Sequence, residues 1–188
     1  MARLLVVTHP EVTVDPETPV TEWGLNARGR HRAESFAASF AMSSVSHTWA
    51  SAERKARETA DILAVPRSLP VTIDSDLGEN NRSATGFLPP PEFEAAADAF
   101  FAQPMDSFCG WERAIDAQSR ILGATRRIAA DHRGHDLAIV THGAVGTLLW
   151  CALMQSPIDR SHDQPGQGHY WTADLETLRP LHGWRSIT

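Results

Sequence analysis

Two dipeptides in this chain carry groups able to do chemistry, and they sit in matching places. Thr8-His9 follows the apolar run Leu4-Leu5-Val6-Val7, and Thr141-His142 follows Leu137-Ala138-Ile139-Val140. A turn-forming residue comes next in each case, Pro10 or Gly143. Parallel strands of an open α/β sheet deliver their ends to one rim, where ligands bind. Two imidazoles far apart in sequence can therefore share a pocket. Three readings follow. Each ring can simply hydrogen-bond within the rim. The pair can ligate a metal, although no His-x-x-x-His spacing and no nearby third and fourth ligand accompany it. Or one ring is a nucleophile and the other its electrostatic partner.

Further residues favour the third reading. Gly143 opens a helix directly after His142, and helix N-termini offer free N–H groups and a positive dipole end to a phosphate. A second helix start, near Ser51, carries Arg54, Lys55 and Arg57. Taken alone, those cations read as a solvated helix face. Glu79 lies in a long polar loop from Asp76 to Pro91, bounded by Gly78 and ending in three prolines. Taken alone, it reads as a surface acid. Loops of that length in a compact domain are often functional.

The elements that must position these groups alternate. Strands are expected at Leu4–Val7, Val45–Ala50, Val71–Ile73 and Leu137–Val140. Helices are expected from Asn26 to about Phe40, Ala52 to Leu63 with Ser51 as its cap, Pro91 to about Ala102, Trp111 to Asp131, and Gly143 to Met154. His169–Leu175 and Arg179–Trp184 read as a closing strand pair. The alternation predicts an α/β sandwich with a largely parallel sheet, in one domain over residues 1–188.

Composition narrows the function class. The chain has 188 residues, 42% hydrophobic and 21% charged, with a net charge of −6. That balance argues against a general nucleic-acid binder. Cys109 and Cys151 form neither a zinc spacing nor a disulfide framework, which fits a reducing compartment. The first apolar run is too short for a signal-peptide core, and no stretch approaches the roughly 20 apolar residues of a membrane helix. The expectation is a cytoplasmic protein without nucleic-acid or membrane partners. Its oligomeric state is open.

The ordered motifs resemble the histidine phosphatase superfamily, the phosphoglycerate mutase-like fold. The family's Arg-His-Gly stands here as Thr8-His9-Pro10. Its Leu-Thr-x-x-Gly-x-x-Gln-Ala helix start is matched by Leu25 to Ala33, and its Ser-x-x-x-Arg-Ala-x-x-Thr-Ala helix by Ser51 to Ala60. Leu-x-Glu is matched by Leu77-Gly78-Glu79, and strand-His-Gly-helix by Val140 to Gly143.

The resemblance implies a three-layer α/β/α sandwich and two-step phosphoryl transfer on a small phosphorylated molecule, with no metal or other cofactor. His9 would attack phosphorus, Glu79 would protonate the leaving oxygen, and His142 would stabilise the equatorial oxygens. Substrate binding would fall to Thr8, Lys55, Arg54 and Gly143.

Thr8 and Lys55 stand where the family has arginines. Lysine lacks the bidentate fork, threonine keeps only a hydroxyl, and Pro10 removes an N–H. Loss of one preorganised donor costs about 3 kcal/mol in the transition state. The departures leave three functional readings: a phosphomonoesterase, a member that binds a phosphorylated ligand or protein partner without turnover, and altered chemistry on a less charged substrate. Hydrolysis fits the short chain and weakened phosphate grip better than mutase activity. Arg28, Arg30, Arg32 and Arg82 are candidate replacements, Asp15 a candidate repulsive neighbour. The segments Glu11–Trp23 and Asp76–Ala102 are expected to roof the pocket, with Trp23, Phe87 and Phe93 as possible lining.

Overall fold

The computed structural model describes residues 2–188. Its centre is β1 (Arg3–Thr8), whose apolar residues alternate between two cores. Leu4 and Val6 face one side of the sheet, Leu5 and Val7 the other, as the two-residue period of a strand requires. β4 (Asp136–Thr141) is split the same way and is buried along its whole length. Strands buried on both faces belong inside α/β proteins.

The other strands are β2 (Val45–Ala50), β3 (Val71–Ile73), β5 (His169–Asp174) and β6 (Arg185–Ser186). They form one sheet in the order β3-β2-β4-β1-β5-β6. The first four are parallel, and β5 and β6 add antiparallel pairs at one edge. The expected second closing strand at Arg179–Trp184 lies elsewhere. That stretch makes one isolated bridge, Ala173 to Pro180, and strand pairing resumes at Arg185. That bridge is made by the Asp174 N–H to the Arg179 carbonyl at 3.0 Å and the Leu181 N–H to the Thr172 carbonyl at 2.8 Å, on either side of Pro180.

Helices cover both faces. α1 (Ala27–Ala37) and α2 (Arg54–Ala64) pack on the Leu5 side, while α4 (Ala114–Asp131) and α5 (Gly143–Met154) pack together on the Leu4 side, where α3 (Pro90–Ala102) adds Phe100 and Phe101. The result is a three-layer α/β/α sandwich. Asn26 caps α1 by accepting from the Gly29 N–H at 2.9 Å. Gly29 is itself forced by packing: a Cβ there would lie 2.2 Å from the Glu11 carbonyl oxygen.

The topology creates the crevice. β1 and β4 are neighbours in parallel, yet β1 leads to α1 on one face and β4 leads to α5 on the other. Chains diverging from adjacent strand ends leave a gap between them, the switch point at which α/β sheets bind ligands. No helix among the described residues is long and apolar enough to cross a membrane.

Candidate active site

Thr8 is the direct partner of Thr141 across the β1/β4 pair, so the two histidines that follow emerge side by side. Their ring centroids are 5.3 Å apart, edge to face. The His9 N–H donates to the Thr141 carbonyl at 3.3 Å. His9 Nδ1 lies 3.0 Å from the Pro10 carbonyl oxygen. A carbonyl only accepts, so Nδ1 holds the proton and Nε2 keeps its lone pair. Burial, reinforced by the Lys55 charge, lowers the His9 pKa to about 4. The ring is therefore neutral at physiological pH, with Nε2 unprotonated.

His142 is fully buried, with no surface of its own. Its Nε2 lies 2.7 Å from Ser51 Oγ and 3.4 Å from Glu53 Oε1, and Nδ1 has no partner among the described residues. Burial holds its pKa well below the usual value, with Glu53 pulling the other way. Ser51 does not cap α2 as expected from its position. The cap residue is Glu53, and Ser51 Oγ instead accepts from the Glu53 N–H at 3.2 Å and meets His142.

Glu53 ties the site together. One carboxylate oxygen accepts from the Glu79 N–H at 2.9 Å, and the other pairs with Lys55. Burial opposes its charge, but His142 and Lys55 outweigh that and bring the carboxyl down to about 2. Lys55 is only 3% exposed and also donates to the Val20 carbonyl at 2.8 Å. Its ammonium is thus held by a carboxylate and by the Val20–Glu22 turn that covers it.

Glu79 occupies the helix start that the sequence suggests for a phosphate. Its carboxyl oxygens accept from the Val145 and Ala144 N–H groups at 3.1 and 3.3 Å, capping α5. Burial raises its pKa, while Arg82 opposes and Glu53 adds to the rise. The loop carrying it is anchored from both sides. Arg120 of α4 donates to the carbonyls of Asp76, Gly78 and Glu79. Thr141 Oγ1 donates to the Leu77 carbonyl at 2.7 Å.

A cavity of about 400 Å³ opens over these groups, lined by His9, Lys55, Glu79 and Gly143. The two expected roof segments contribute Val12, Val20 and Trp23 on one side and Asn80, Arg82 and Phe93 on the other. Phe87, expected as lining, lies off this cavity, tilted against Trp23 at 5.8 Å between ring centroids. A third segment, 160–167, closes the rim with Arg160, Asp163 and Gln164.

Several candidates lie off the cavity. Arg54 is half-exposed and bonded to Glu58 at 2.8 Å, facing away. Its position beside Lys55 on a helix turns it about 100° from the site. Arg28 and Arg32 pair with Glu11, and Arg30 pairs with Glu58. Asp15 is exposed and bonded to Thr18. Thr8 is fully buried and cannot touch a ligand directly. Its Oγ1 donates to Gln164 Oε1 at 2.6 Å. Arg82 is the cavity cation with no ion pair or side-chain hydrogen bond among the described residues; its guanidinium lies 4.9 Å from the Phe93 ring centre.

The histidine phosphatase superfamily (branch 1) profile matches residues 4–172. The chain belongs to that superfamily. Solved structures share its fold. YhfR from Bacillus stearothermophilus is 24% identical, with a TM-score of 0.81, over 96% of this chain and 94% of that one. A mycobacterial glucosyl-3-phosphoglycerate phosphatase, solved with inorganic phosphate, is 20% identical at a TM-score of 0.77, over 98% and 95%. A putative alpha-ribazole-5'-P phosphatase from Escherichia coli K-12 is 19% identical at 0.76, over 100% and 97%. No curated protein matches the chain at the sequence level.

Within this superfamily member, sequence reading misses Glu53, Asp163 and Gln164. Glu53 does carry a signal, an acid two residues from Lys55 at a helix start. Gln164 precedes Pro165-Gly166, a turn signal ahead of β5 that places it on the same rim. Among the described residues, no group of three or more His, Cys, Asp or Glu could hold a metal ion.

Proposed function

We propose that this protein is a phosphatase that hydrolyses a small phosphorylated substrate through a phosphohistidine at His9. The observation that carries this reading is a neutral imidazole and a buried carboxyl lining one cavity. His9 offers an unprotonated Nε2 in the cavity that Glu79 also lines, and burial raises the Glu79 pKa.

In the first step the His9 Nε2–P bond forms as the bond from phosphorus to the leaving oxygen breaks, and Glu79 gives that oxygen its proton. In the second, water attacks phosphorus and loses a proton to the Glu79 carboxylate. The P–N bond breaks, inorganic phosphate leaves, and His9 returns neutral. The Pro10 carbonyl holds the Nδ1 proton throughout. Phosphoryl transfer spreads charge over three oxygens, so cationic and N–H donors matter most. Arg82 and Lys55 provide positive charge at the cavity. The His142 ring meets that of His9 edge to face at 5.3 Å. Glu53 beside its Nε2 offers a counter-charge if His142 gains a proton as the phosphoryl group arrives.

Hydrolysis of a phosphomonoester panel by wild type and by His9→Ala tests this. Wild type should release phosphate, form an acid-labile phosphoryl adduct on His9, and lose both on substitution. Equal activity in the two proteins would sink the covalent route. A second reading, ligand binding without turnover, is favoured by two observations: Lys55 already faces a carboxylate, and His142 has no surface. It predicts a thermal shift with phosphate and no release of phosphate from any ester.

A further inference from the structure

Gln164 lines the cavity together with His9 and Gly143. Its Oε1 accepts from Thr8 Oγ1 at 2.6 Å, and Thr8 immediately precedes the nucleophile. Thr8 Oγ1 itself accepts from the His169 N–H at 3.0 Å. A hydroxyl has one proton to give; of its two acceptors, Gln164 Oε1 at 2.6 Å is closer than the His169 carbonyl at 3.2 Å. The carboxamide is thereby turned with its oxygen on Thr8 and its NH2 group the other way.

That NH2 group lies against the first residue of α5. A Cβ on Gly143 would come within 2.6 Å of Gln164 Nε2, so the close approach depends on glycine. Nε2 makes no hydrogen bond among the described residues. The backbone is held as well, since Asp163 Oδ1 accepts from the Gln164 N–H at 2.7 Å and from Thr147 Oγ1 of α5 at 2.8 Å. A positioned donor with no partner, beside a nucleophile and a helix start, is what a developing oxyanion requires.

We propose that the Gln164 carboxamide, oriented by Thr8, donates a hydrogen bond to a non-bridging oxygen of the phosphoryl group during its transfer to and from His9. Thr8 acts as a positioning residue and Gln164 as the contact. This inference rests on the phosphohistidine reading above. It also bears on substrate charge. A carboxamide supplies an N–H without a positive charge, so the site compensates less anionic charge than a guanidinium in that place would. Of a monoester's two ionisation states, the monoanion is the better match.

The test uses the full chain with orthovanadate, a mimic of the five-coordinate transfer state, and with inorganic phosphate. Wild type should bind vanadate more tightly than phosphate. Gln164→Glu keeps the shape and replaces the donor with an acceptor. Gln164→Leu removes both. Each should lower vanadate affinity and kcat about a hundredfold, with smaller changes in phosphate affinity and KM. Thr8→Val should give a loss in the same direction, on the order of tenfold, by releasing the amide from its oxygen anchor. A purely structural role for Gln164 would lower the melting temperature without changing the ratio of vanadate to phosphate affinity. Unchanged vanadate affinity in Gln164→Glu, or in Thr8→Val where the Gln164 variants do not fold, overturns the proposal and leaves the His9 reading standing. A wild type that neither binds vanadate nor hydrolyses an ester overturns both.

Discussion

An ammonium paired with a carboxylate is a weaker anion trap than a free one, and Lys55 is so paired. Its partner Glu53 is ionised down to about pH 2, so the pair persists throughout the physiological range. Glu53→Gln keeps an acceptor for the Glu79 N–H but removes the negative charge. Vanadate and phosphate should then bind several-fold more tightly, as calorimetry or a fluorescence titration would show. Unchanged affinity would mean that Lys55 does not reach the anion. Loss of a buried pair partner should also cost stability, of order 3 kcal/mol, visible as a lower melting temperature.

The pH profile follows from the same residues. His9 must be neutral and has its pKa near 4, while Glu79 must hold a proton and titrates above its ordinary value. For free enzyme, kcat/KM should rise through about pH 4 and fall on the alkaline side as Glu79 ionises. That His9, His142 and Glu79 come together could be expected from the sequence, the histidines from repeated strand-His-turn patterns and Glu79 only from the family resemblance. Their partners could not. Ser51 meets a histidine 91 positions away, and Thr8 meets Gln164 across 156.

At the scale of elements, the site depends on how a loop is fastened to two helices. Glu79 caps α5 through its side chain, and Arg120 of α4 holds the same loop through three carbonyls. Arg120 also pairs with Glu112, so its side chain is pinned at both ends. Arg120→Leu should release the Asp76–Glu79 stretch and leave Glu112 without its partner. We expect a loss of about 1–3 kcal/mol in stability and a larger fall in kcat than in anion affinity, because the acid moves while Arg82 and Lys55 stay. Denaturant melts and steady-state kinetics check both parts. Affinity falling in step with kcat would assign Arg120 to the binding surface instead. Strand and helix positions were readable in advance, since apolar periods of two and 3.6 residues mark them. The last strand and the cap of α2 were not. The 179–184 stretch bridges β5 only at Pro180 before pairing resumes at Arg185, and the Ser51 hydroxyl is drawn to His142.

Over the whole molecule, the buried site makes acid the direction of weakness. In the unfolded chain His9 would titrate near 6.5, whereas in the fold it titrates near 4. Between those values the unfolded state binds more protons, so stability falls as pH drops through that window. A shift of that size corresponds to roughly 3 kcal/mol. His142 is displaced in the same sense. Glu53 acts lower down: its stabilisation is complete above 4.5 and is lost as pH falls toward 2. Glu79 opposes them. Its raised pKa favours the fold when protonated, and that contribution fades as pH rises through the folded value. Two histidines and one carboxylate against one carboxylate leave a net loss on acidification. At about 2–4 °C per kcal/mol for a domain of this size, His9 alone should lower the melting temperature by on the order of 10 °C between pH 7 and 4. His9→Gln removes the titrating ring without emptying the space. Calorimetry across this range should show a shallower slope in that variant, by up to one proton near pH 5. Identical slopes would mean that His9 is not held neutral by the fold, and would take with them the premise that it attacks phosphorus as a free base.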